Sequence, residues 1–218
     1  MSSKILYSAE LELPEEDIPA FNAWFAGRHA ADLYQAGFDV CTCYRAVRGG
    51  MTLIDFYEAP DASLFEAEAY RKIGPADVYG PPLMAKRLDK AHTVYTYRAG
   101  APAGAAADSA APFHADWVAF ARFAASPTDA TRLAAAIEGA AGERLIAAGV
   151  RRVRLAERGP DHPRNPTHRP AYIVIAEWDD EPPDAADIGR FVTSQISTSG
   201  LDSFVGYRIY PWPDKPRG

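Results

Sequence analysis

The chain contains the same order of predicted secondary-structure elements twice, on either side of a segment rich in Ala, Gly and Pro. This segment, RAGAPAGAAADSAAP at residues 98–112, has few side chains that could be buried and is typical of a flexible linker. A shift of about 112 positions aligns the first helix and the second strand of the two halves, and it places Gly37 on Gly149. We therefore expect an internal repeat whose two copies form the same structural unit.

Each half is predicted to form the order β-α-β-β-α-β. In the first half, an acidic turn after Pro14 begins a helix that ends near Gly37, and a second helix covers roughly residues 62–72. The strands of the first half are KILYSAELEL, FDVCTCYRAV, MTLIDFYEA and HTVYTYR. The second half follows with the strands DWVAFARFAAS, VRRVRLAE, AYIVIAEW and FVGYRIYPW, and with helices in PTDATRLAAAIEGAAGERLIAAG and DAADIGRFVTSQIS.

A β-α-β-β-α-β unit forms a four-stranded antiparallel sheet with both helices on one face, as in ferredoxin-like domains. The other face of the sheet must be covered, and two copies in one chain can cover each other. We predict an α+β fold in which two tandem ferredoxin-like βαββαβ repeats pack their antiparallel sheets into one intramolecular α/β barrel. Residues 1–98 form the candidate functional half, residues 99–112 the linker, and residues 113–218 a degenerate, supporting half.

The composition excludes several classes of protein. A formal net charge of −6 argues against a nucleic-acid-binding protein, which needs a clustered basic face. No apolar run approaches the roughly 20 residues that cross a bilayer, and the N-terminal segment lacks the features of a signal peptide. Cys41 and Cys43 have the spacing of neither a disulfide scaffold nor a zinc site. We expect a cytoplasmic monomer or homodimer with a small-molecule substrate, no nucleic-acid or membrane partner, and no metal.

His29 is the first candidate catalytic residue. On a helical wheel, it lies in the middle of the apolar stripe that includes Phe21, Phe25 and Leu33, so its imidazole should point inward. Asp32 follows at i+3, where a carboxylate can reach one ring nitrogen, and a histidine held in one tautomer is a plausible general base. The alternative interpretation is a half-buried histidine that Asp32 caps for structural reasons.

The second copy of the helix favours a functional interpretation. Under the shift of about 112 positions, the residues that align with His29, Asp32 and Trp24 are those of a plain packing helix. This indicates that the fold does not need these three side chains. The aligned pairs are His29 with Ala141, Asp32 with Arg144, and Trp24 with Ala136.

The strand segment LIDFYE supplies two further candidates. Alternation puts Ile54 and Phe56 on one face of the strand and Asp55 and Tyr57 on the other. We expect the apolar pair to meet the helices and the polar pair to face the barrel interior, where an acid in an aromatic cavity would have a raised pKa. The alternative is a structural ion pair between Asp55 and Arg45 at the barrel mouth.

The runs FNAWFAGRHAADLYQAGFDVCTCYRA and LIDFYEAPDASLFEAEAYRKI resemble the EthD-like branch of the dimeric α/β-barrel superfamily. The pattern there is a helix of the form FNxWYxxxHxPDLxxxPGF, then a strand with a Tyr-Arg pair, and a helix with A-Y-R. Ala31 and Ala36 replace its prolines, and residues 26–28 replace an acidic pair. The positions that match are Phe21, Trp24, His29, Asp32, Leu33, Gly37, Phe38, Tyr44, Arg45, Tyr70 and Arg71.

The resemblance covers most of the first half and implies a fold rather than one reaction. The superfamily includes cofactor-independent monooxygenases, lactone isomerases, aldoxime dehydratases, and haem-dependent chlorite-splitting and peroxidase enzymes. We expect six further side chains to contact a substrate: Trp24, Arg28, Tyr44, Arg45, Tyr70 and His92.

The segment GPDHPRNPTHRP in the second half is a long hairpin loop that has no counterpart in the first half. Its two histidines, His162 and His168, could bind a metal, but no third ligand is evident. We favour a loop or lid, at residues 159–169, over the barrel mouth.

We expect a cofactor-independent lyase or isomerase that acts by proton transfer on an aromatic or other hydrophobic oxygenated metabolite, as in catabolic pathways. His29, oriented by Asp32, would be the general base or acid, and Asp55 and Tyr57 would bind or protonate the substrate. One alternative is a haem-dependent enzyme of the same fold, with a histidine as axial ligand. The other is a non-catalytic protein that binds a hydrophobic ligand.

Overall fold

Eight strands form one closed antiparallel barrel in the computed structural model, which describes residues 4–102, 113–165, 169–183 and 187–211, with the side chains of residues 74–76 left out. The strands are β1 (Ile5–Glu12), β2 (Val40–Arg48), β3 (Leu53–Ala59), β4 (Asp89–Ala101), β5 (Trp117–Ala124), β6 (Arg152–Arg158), β7 (Tyr172–Trp178) and β8 (Ser199–Tyr210). Their order around the barrel is β1-β3-β2-β8-β5-β7-β6-β4.

The helices lie outside the barrel. They are α1 (Ile18–Trp24), α2 (Ala30–Ala36), α3 (Glu68–Ala76), α4 (Gly80–Met84), α5 (Pro127–Glu138), α6 (Ala140–Ala147) and α7 (Ile188–Gln195). Short 3-10 turns cover Glu15–Asp17 and Ala62–Glu66, and a π-helical turn, Phe25–His29, joins α1 to α2. Among the described residues, no helix is long and apolar enough to cross a membrane.

Both halves have the same strand order. The first sheet is β4-β1-β3-β2 and the second is β8-β5-β7-β6, which is the ferredoxin-like order in each case. The barrel closes where β2 pairs with β8 and where β4 pairs with β6. This arrangement confirms the predicted α+β fold, in which two βαββαβ units form one intramolecular α/β barrel.

Several predicted boundaries differ from the observed ones. β4 continues through Ala101, so the first residues assigned to the linker belong to a strand that pairs with β6, and residues 103–112 lie outside the described ones. The Gly/Pro-rich segment after α3 contains the short helix α4, which the sequence pattern missed. The first helix of the second half is interrupted at Gly139, between α5 and α6.

The helix ends that align the two halves are alike. Gly37 follows α2 with φ 107° and Gly149 follows the last residues of α6 with φ 96°, and both angles lie in the left-handed region that favours glycine. The Phe38 N–H donates to the Leu33 carbonyl, and the Val150 N–H donates to the Leu145 carbonyl. The predicted helix stops at Gly37 and Gly149 are therefore confirmed.

The orientation of β3 is the reverse of the predicted one, in a barrel where both faces of each sheet are buried. Ile54 and Phe56 face the barrel interior, where they belong to one core cluster with Phe113 and Phe120. Tyr57 belongs to the separate core under the helices of the first half. The alternation of residues was assigned correctly, but an apolar barrel interior removes the contrast that would identify the helix side.

The barrel interior also contains buried ion pairs that join the two halves. Arg154 of β6 donates from Nη1 to Glu58 of β3 and from Nη2 to Glu177 of β7, both at 2.8 Å. A second ion pair lies elsewhere in the interior, where Arg122 of β5 donates to Glu10 of β1. Each of these side chains is at most 2% exposed. Desolvation offsets much of the attraction, so the pairs act chiefly by penalising any arrangement that separates partner charges.

We predict that Arg154→Met destabilises the chain by about 3 kcal/mol, because it leaves two buried carboxylates without their shared partner. The matched control is Arg151→Met, which removes an exposed arginine paired with Asp179 and should cost less than about 1 kcal/mol. Urea denaturation of both variants measures the two free energies. Equal losses would contradict the importance that we assign to the interior pairs.

Candidate active site

A cavity of about 380 Å³ lies between the sheet of the first half and the helices that cover it. Aromatic side chains form much of its wall, and titratable groups lie among them. Its lining residues include Tyr7, Phe21, Trp24, His29, Asp55, Tyr57, Tyr70, Asp77 and His92. The same side of the second sheet carries a separate apolar core to which α5 and α7 contribute Leu133, Ile137 and Val192.

The π-helical turn between α1 and α2 positions His29. A π-helical turn accommodates an extra residue within a helix, and such turns are frequent at functional sites. The imidazole stacks on the Trp24 indole at 4.5 Å between ring centroids, with 22° between the ring planes. Burial lowers the pKa of His29 from 6.5 to about 4, so the imidazole is neutral at pH 7.

Asp32 does not orient His29 as predicted. Its Oδ2 atom accepts a hydrogen bond of 2.7 Å from Nε of Arg28, one helical turn earlier. The i, i+4 spacing brings these two side chains together on the outer surface of the helix, whereas His29 lies on the inner surface. Asp32 is therefore part of a surface ion pair, and the carboxyl groups that line the cavity are those of Asp55 and Asp77.

Asp55 is the carboxyl group that β3 contributes to the cavity. It is 2% exposed, and its Oδ2 atom accepts a hydrogen bond of 3.0 Å from the Tyr57 hydroxyl. Burial raises the pKa of Asp55 to about 7, although hydrogen bonds from the Cys43 thiol and from Tyr57 act in the opposite direction. Its Oδ1 atom is buried without a hydrogen-bond partner among the described residues. The group can thus exchange a proton near neutral pH.

His29 and Asp55 border the same cavity, and Tyr57 lies between them. The Tyr57 ring centroid is 6.4 Å from that of His29, in an edge-on arrangement, while the Tyr57 hydroxyl contacts Asp55. This proximity depends on the reversed orientation of β3. If Asp55 had faced the barrel interior, the sheet would separate it from the helix that carries His29.

Two further histidines belong to this region: His92 lines the cavity, and His162 lies beside it. The Tyr7 hydroxyl is 2.6 Å from Nδ1 of His92, and the Tyr70 hydroxyl is 2.8 Å from Nε2 of His162. Burial lowers the pKa of both histidines to about 4. The Tyr7 ring stacks on His162 with 5.0 Å between centroids. Both imidazoles are therefore neutral at pH 7 and held by tyrosines.

The hairpin loop between β6 and β7 covers the first-half cavity. His162 is 3% exposed, and its Nδ1 atom accepts a hydrogen bond from the backbone N–H of Arg164. Arg164 and Asn165 line the cavity, and Lys90 donates to the Asn165 side chain at 3.2 Å. The loop was expected over the barrel mouth. Its residues 162–165 lie on the helix side of the first sheet, whereas Arg169, at the end of the loop, donates to Glu10 in the barrel interior. His168 lies outside the described residues.

Six of the ten predicted site residues line the cavity, and four do not. Those at the cavity are Trp24, His29, Asp55, Tyr57, Tyr70 and His92. Arg28 and Asp32 pair with each other on the surface. Tyr44 lies inside the barrel, where its hydroxyl donates to the Ala115 carbonyl, and Arg45 pairs with Glu15 rather than with Asp55.

Sequence reasoning missed cavity residues that distant segments bring together. Tyr7 is one position of an alternating strand, and nothing in that pattern distinguishes it from its neighbours. Asp77 lies in the segment between α3 and α4 and accepts hydrogen bonds from the Trp24 indole and from two backbone N–H groups. Arg164 belongs to the loop that was identified only as a lid. Among the described residues, no group of three or more potential ligands could hold a metal ion.

No protein-family model matches this chain, and no curated protein matches its sequence. Solved structures match its fold. An anthrone oxidase-like protein aligns with a TM-score of 0.58 and 12% identity, over 96% of this chain and 92% of that chain. A proposed monooxygenase from Lactobacillus acidophilus aligns with a TM-score of 0.56 and 10% identity, over 95% and 94%. A mutant chlorite dismutase from Candidatus Nitrospira defluvii aligns with a TM-score of 0.55 and 9% identity, over 95% and 92%.

These neighbours establish the dimeric α/β-barrel fold, and at such low identity they establish the fold alone. The EthD-like branch stays a prediction. For the haem alternative, His29 and His92 line the cavity and offer the nitrogen ligands that haem iron takes. The volume of about 380 Å³ lies near the lower end of the range for drug-sized ligands, and a haem is larger than those ligands. The donor chemistry therefore fits a haem, but the cavity does not fit its size.

We predict that Asp55→Asn stabilises the chain increasingly as the pH rises. The pKa of Asp55 is about 7 in the folded chain, against an ordinary value of 3.8. Between pH 3.8 and pH 7, the folded state therefore keeps a proton that the unfolded state has already released. The free energy of unfolding of the unaltered chain therefore falls as the pH rises through this window, and the asparagine variant lacks that loss.

Urea denaturation at pH 5, 6, 7 and 8 measures the difference between the two chains. The matched control is Asp180→Asn, the same substitution at an exposed position outside the cavity. A gain from Asp55→Asn that is the same at every pH would contradict a raised pKa at this position.

Proposed function

We propose that this chain is an enzyme that transfers a proton to or from a hydrophobic, oxygenated aromatic molecule, with Asp55 as the general base or acid. The observation that carries the proposal is the Asp55 carboxyl group, buried in an aromatic cavity with a pKa of about 7. A catalytic acid or base acts best when its pKa lies near the working pH. His29, with a pKa of about 4, is too weakly basic for this role.

The surrounding groups supply orientation. The Tyr57 hydroxyl donates to Oδ2 of Asp55, which leaves Oδ1 as the atom available to take a proton from a C–H or O–H group of the substrate. Because Asp55 lies on a strand that pairs on both edges, its position is fixed by the barrel rather than by a loop. Rigid placement of the reacting group is a major source of rate acceleration.

The neutral histidines suit a second role in the same reaction. Loss of a proton next to a carbonyl group places negative charge on the carbonyl oxygen, and a preorganised N–H donor stabilises that charge. His29 and His92 both line the cavity and both have a pKa lowered to about 4, so each offers one ring N–H without a positive charge. The proposed role of His29 and His92 is therefore to bind the substrate oxygen.

Two fates are open to the deprotonated substrate. It can take back a proton at a different atom, which is an isomerisation, or it can transfer electrons to dioxygen, as the descriptions of an anthrone oxidase-like protein and a monooxygenase suggest. Both begin with the same proton abstraction by Asp55. The first step is consequently the one to test.

We predict that the chain catalyses exchange of the acidic C–H protons of a polycyclic aromatic ketone with solvent deuterium. Anthrone is the first compound to test, followed by hydroxylated naphthalenones, with ¹H NMR in D₂O as the measurement. Asp55→Asn should lower the exchange rate by roughly 10²–10⁴-fold, the usual contribution of a general base. The rate should rise as Asp55 loses its proton, with an apparent pKa of about 7.

Asp180→Asn is the control here too, and it should exchange like the unaltered chain. An oxygen electrode run in parallel separates the two fates, since oxygen uptake accompanies only the second. Binding of these compounds without exchange above the uncatalysed rate would contradict the proposal and favour a non-catalytic carrier.

A haem enzyme is the second candidate function, favoured by the chlorite dismutase neighbour and by the two histidines at the cavity. Titration of the purified chain with hemin tests it. Because of the cavity volume, we expect no stoichiometric complex. A Soret band that sharpens at one equivalent, and is lost in His29→Ala or His92→Ala, would establish the haem function instead.

A further inference from the structure

The mouth of the cavity carries three cationic side chains, Arg87, Lys90 and Arg164, which we call the basic rim. We propose that the basic rim binds an anionic substituent, so that the ligand of this cavity is an aromatic acid: a planar body with a carboxylate or a similar anionic group at one end. The inference concerns the same cavity as the proposed function and names the class of its substrate.

The basic rim is not neutralised by the protein. Within the part of the chain that the structure describes, none of its three side chains forms an ion pair with a carboxylate. Lys90 donates to the neutral amide oxygen of Asn165, and the Arg164 guanidinium lies 5.9 Å from the centre of the Tyr70 ring. Burial and the nearby charge of Arg87 lower the pKa of Lys90, which is the effect expected of like charges without a counterion.

Other cations near the site differ in this respect. Lys86, the residue before Arg87, donates to Asp17 at 2.6 Å, and Arg28 donates to Asp32 at 2.7 Å. The neighbouring helix surface thus pairs its cations, whereas the cavity mouth does not. Unpaired like charges around a cleft repel one another, and a bound anion removes that repulsion.

The carboxyl groups of the cavity do not compensate for the rim. Asp77 accepts hydrogen bonds from Nε1 of Trp24 and from the backbone N–H groups of Tyr79 and Gly80, which satisfy its negative charge where it lies. Asp55 is buried with a pKa of about 7, so it is partly protonated at neutral pH. The charges that line the cavity therefore sum to a net positive value.

The rim is assembled from both halves of the chain. Arg87 lies between α4 and β4, and Lys90 is the second residue of β4, while Arg164 belongs to the β6–β7 loop of the second half. The buried ring of His162 holds that loop in place, because its Nδ1 atom accepts the Arg164 N–H and its Nε2 atom contacts the Tyr70 hydroxyl. This anchoring places Arg164 at the cavity of the opposite half.

The cavity defines the rest of the ligand. Tyr7, Trp24, Tyr57 and Tyr70 offer flat apolar surfaces, and a volume of about 380 Å³ suits a body of a few fused or linked rings. With its rings on these surfaces and its anionic group at the rim, a ligand would have its central atoms between Asp55 and the neutral histidines.

Two fluorescent dyes that differ by one anionic group provide the test: 1-anilinonaphthalene-8-sulfonate and the uncharged N-phenyl-1-naphthylamine. We expect the unaltered chain to bind the sulfonate more tightly, with an affinity that falls between 20 and 300 mM NaCl. Arg87→Gln, Lys90→Gln and Arg164→Gln should each weaken sulfonate binding by about two- to fivefold, and the triple variant by at least about tenfold. Binding of the uncharged dye should not change.

Lys86→Gln is the matched control, because this lysine is next to the rim but pairs with Asp17, and it should leave both affinities unchanged. Ile73→Trp, which fills part of the cavity wall, should weaken both dyes and so locate them in the cavity. Circular dichroism and urea unfolding of each variant establish that the fold is intact.

Equal affinity for the two dyes, no detectable binding of either dye, or an equal loss for both in the triple variant would overturn the basic rim as an anion site. The outcome is separable from that of the proposed function. Asp55→Asn should lower the rate of proton exchange by roughly 10²–10⁴-fold and leave the preference for the sulfonate dye intact, whereas loss of the rim should remove that preference. A chain that prefers the sulfonate dye but catalyses no proton exchange would support the anion site and contradict the proposed proton-transfer function.

Discussion

Closure of the barrel is the constraint on which the rest of the structure depends. Each four-stranded sheet buries one face against its helices, and the other face becomes the barrel interior only when β2 pairs with β8 and β4 pairs with β6. The interior then holds aromatic side chains and the charges of Glu58 and Arg154, which come from opposite halves. A half without its partner would expose those charges and rings. We therefore expect the two halves to unfold together.

This closure also explains why the site lies outside the barrel. The interior is filled by side chains from both sheets, so the polar groups of the site occupy the helix side of the first sheet. There the π-helical turn positions His29, Asp55 points up from β3, and the loop of the second half brings Arg164 over the opening. The first half supplies the titratable groups, and the second half supplies the loop that completes the mouth.

Sequence reasoning identified the chemistry of the site better than its geometry. His29, Asp55 and Tyr57 were candidates because polar groups stood in apolar patterns, and all three line one cavity. The prediction that Asp32 is the partner of His29 was wrong. Helical spacing brings the Asp32 carboxylate near both Arg28 and His29, but it does not say which of the two it contacts. Arg87, Lys90 and Arg164 gave no signal, since a cation without a counterion is recognisable only when its surroundings are known.

The sequence by itself determined the order of the strands, the glycine helix stops and the α/β barrel, because these follow from local periodicity and from the need to cover two sheet faces. Only the tertiary structure decided which side of β3 faces the helices. Alternation along a strand separates two faces but does not label them, and in this barrel both faces of the strand are buried and carry apolar side chains. That single choice brings Asp55 to His29, raises its pKa by burial, and creates the candidate site.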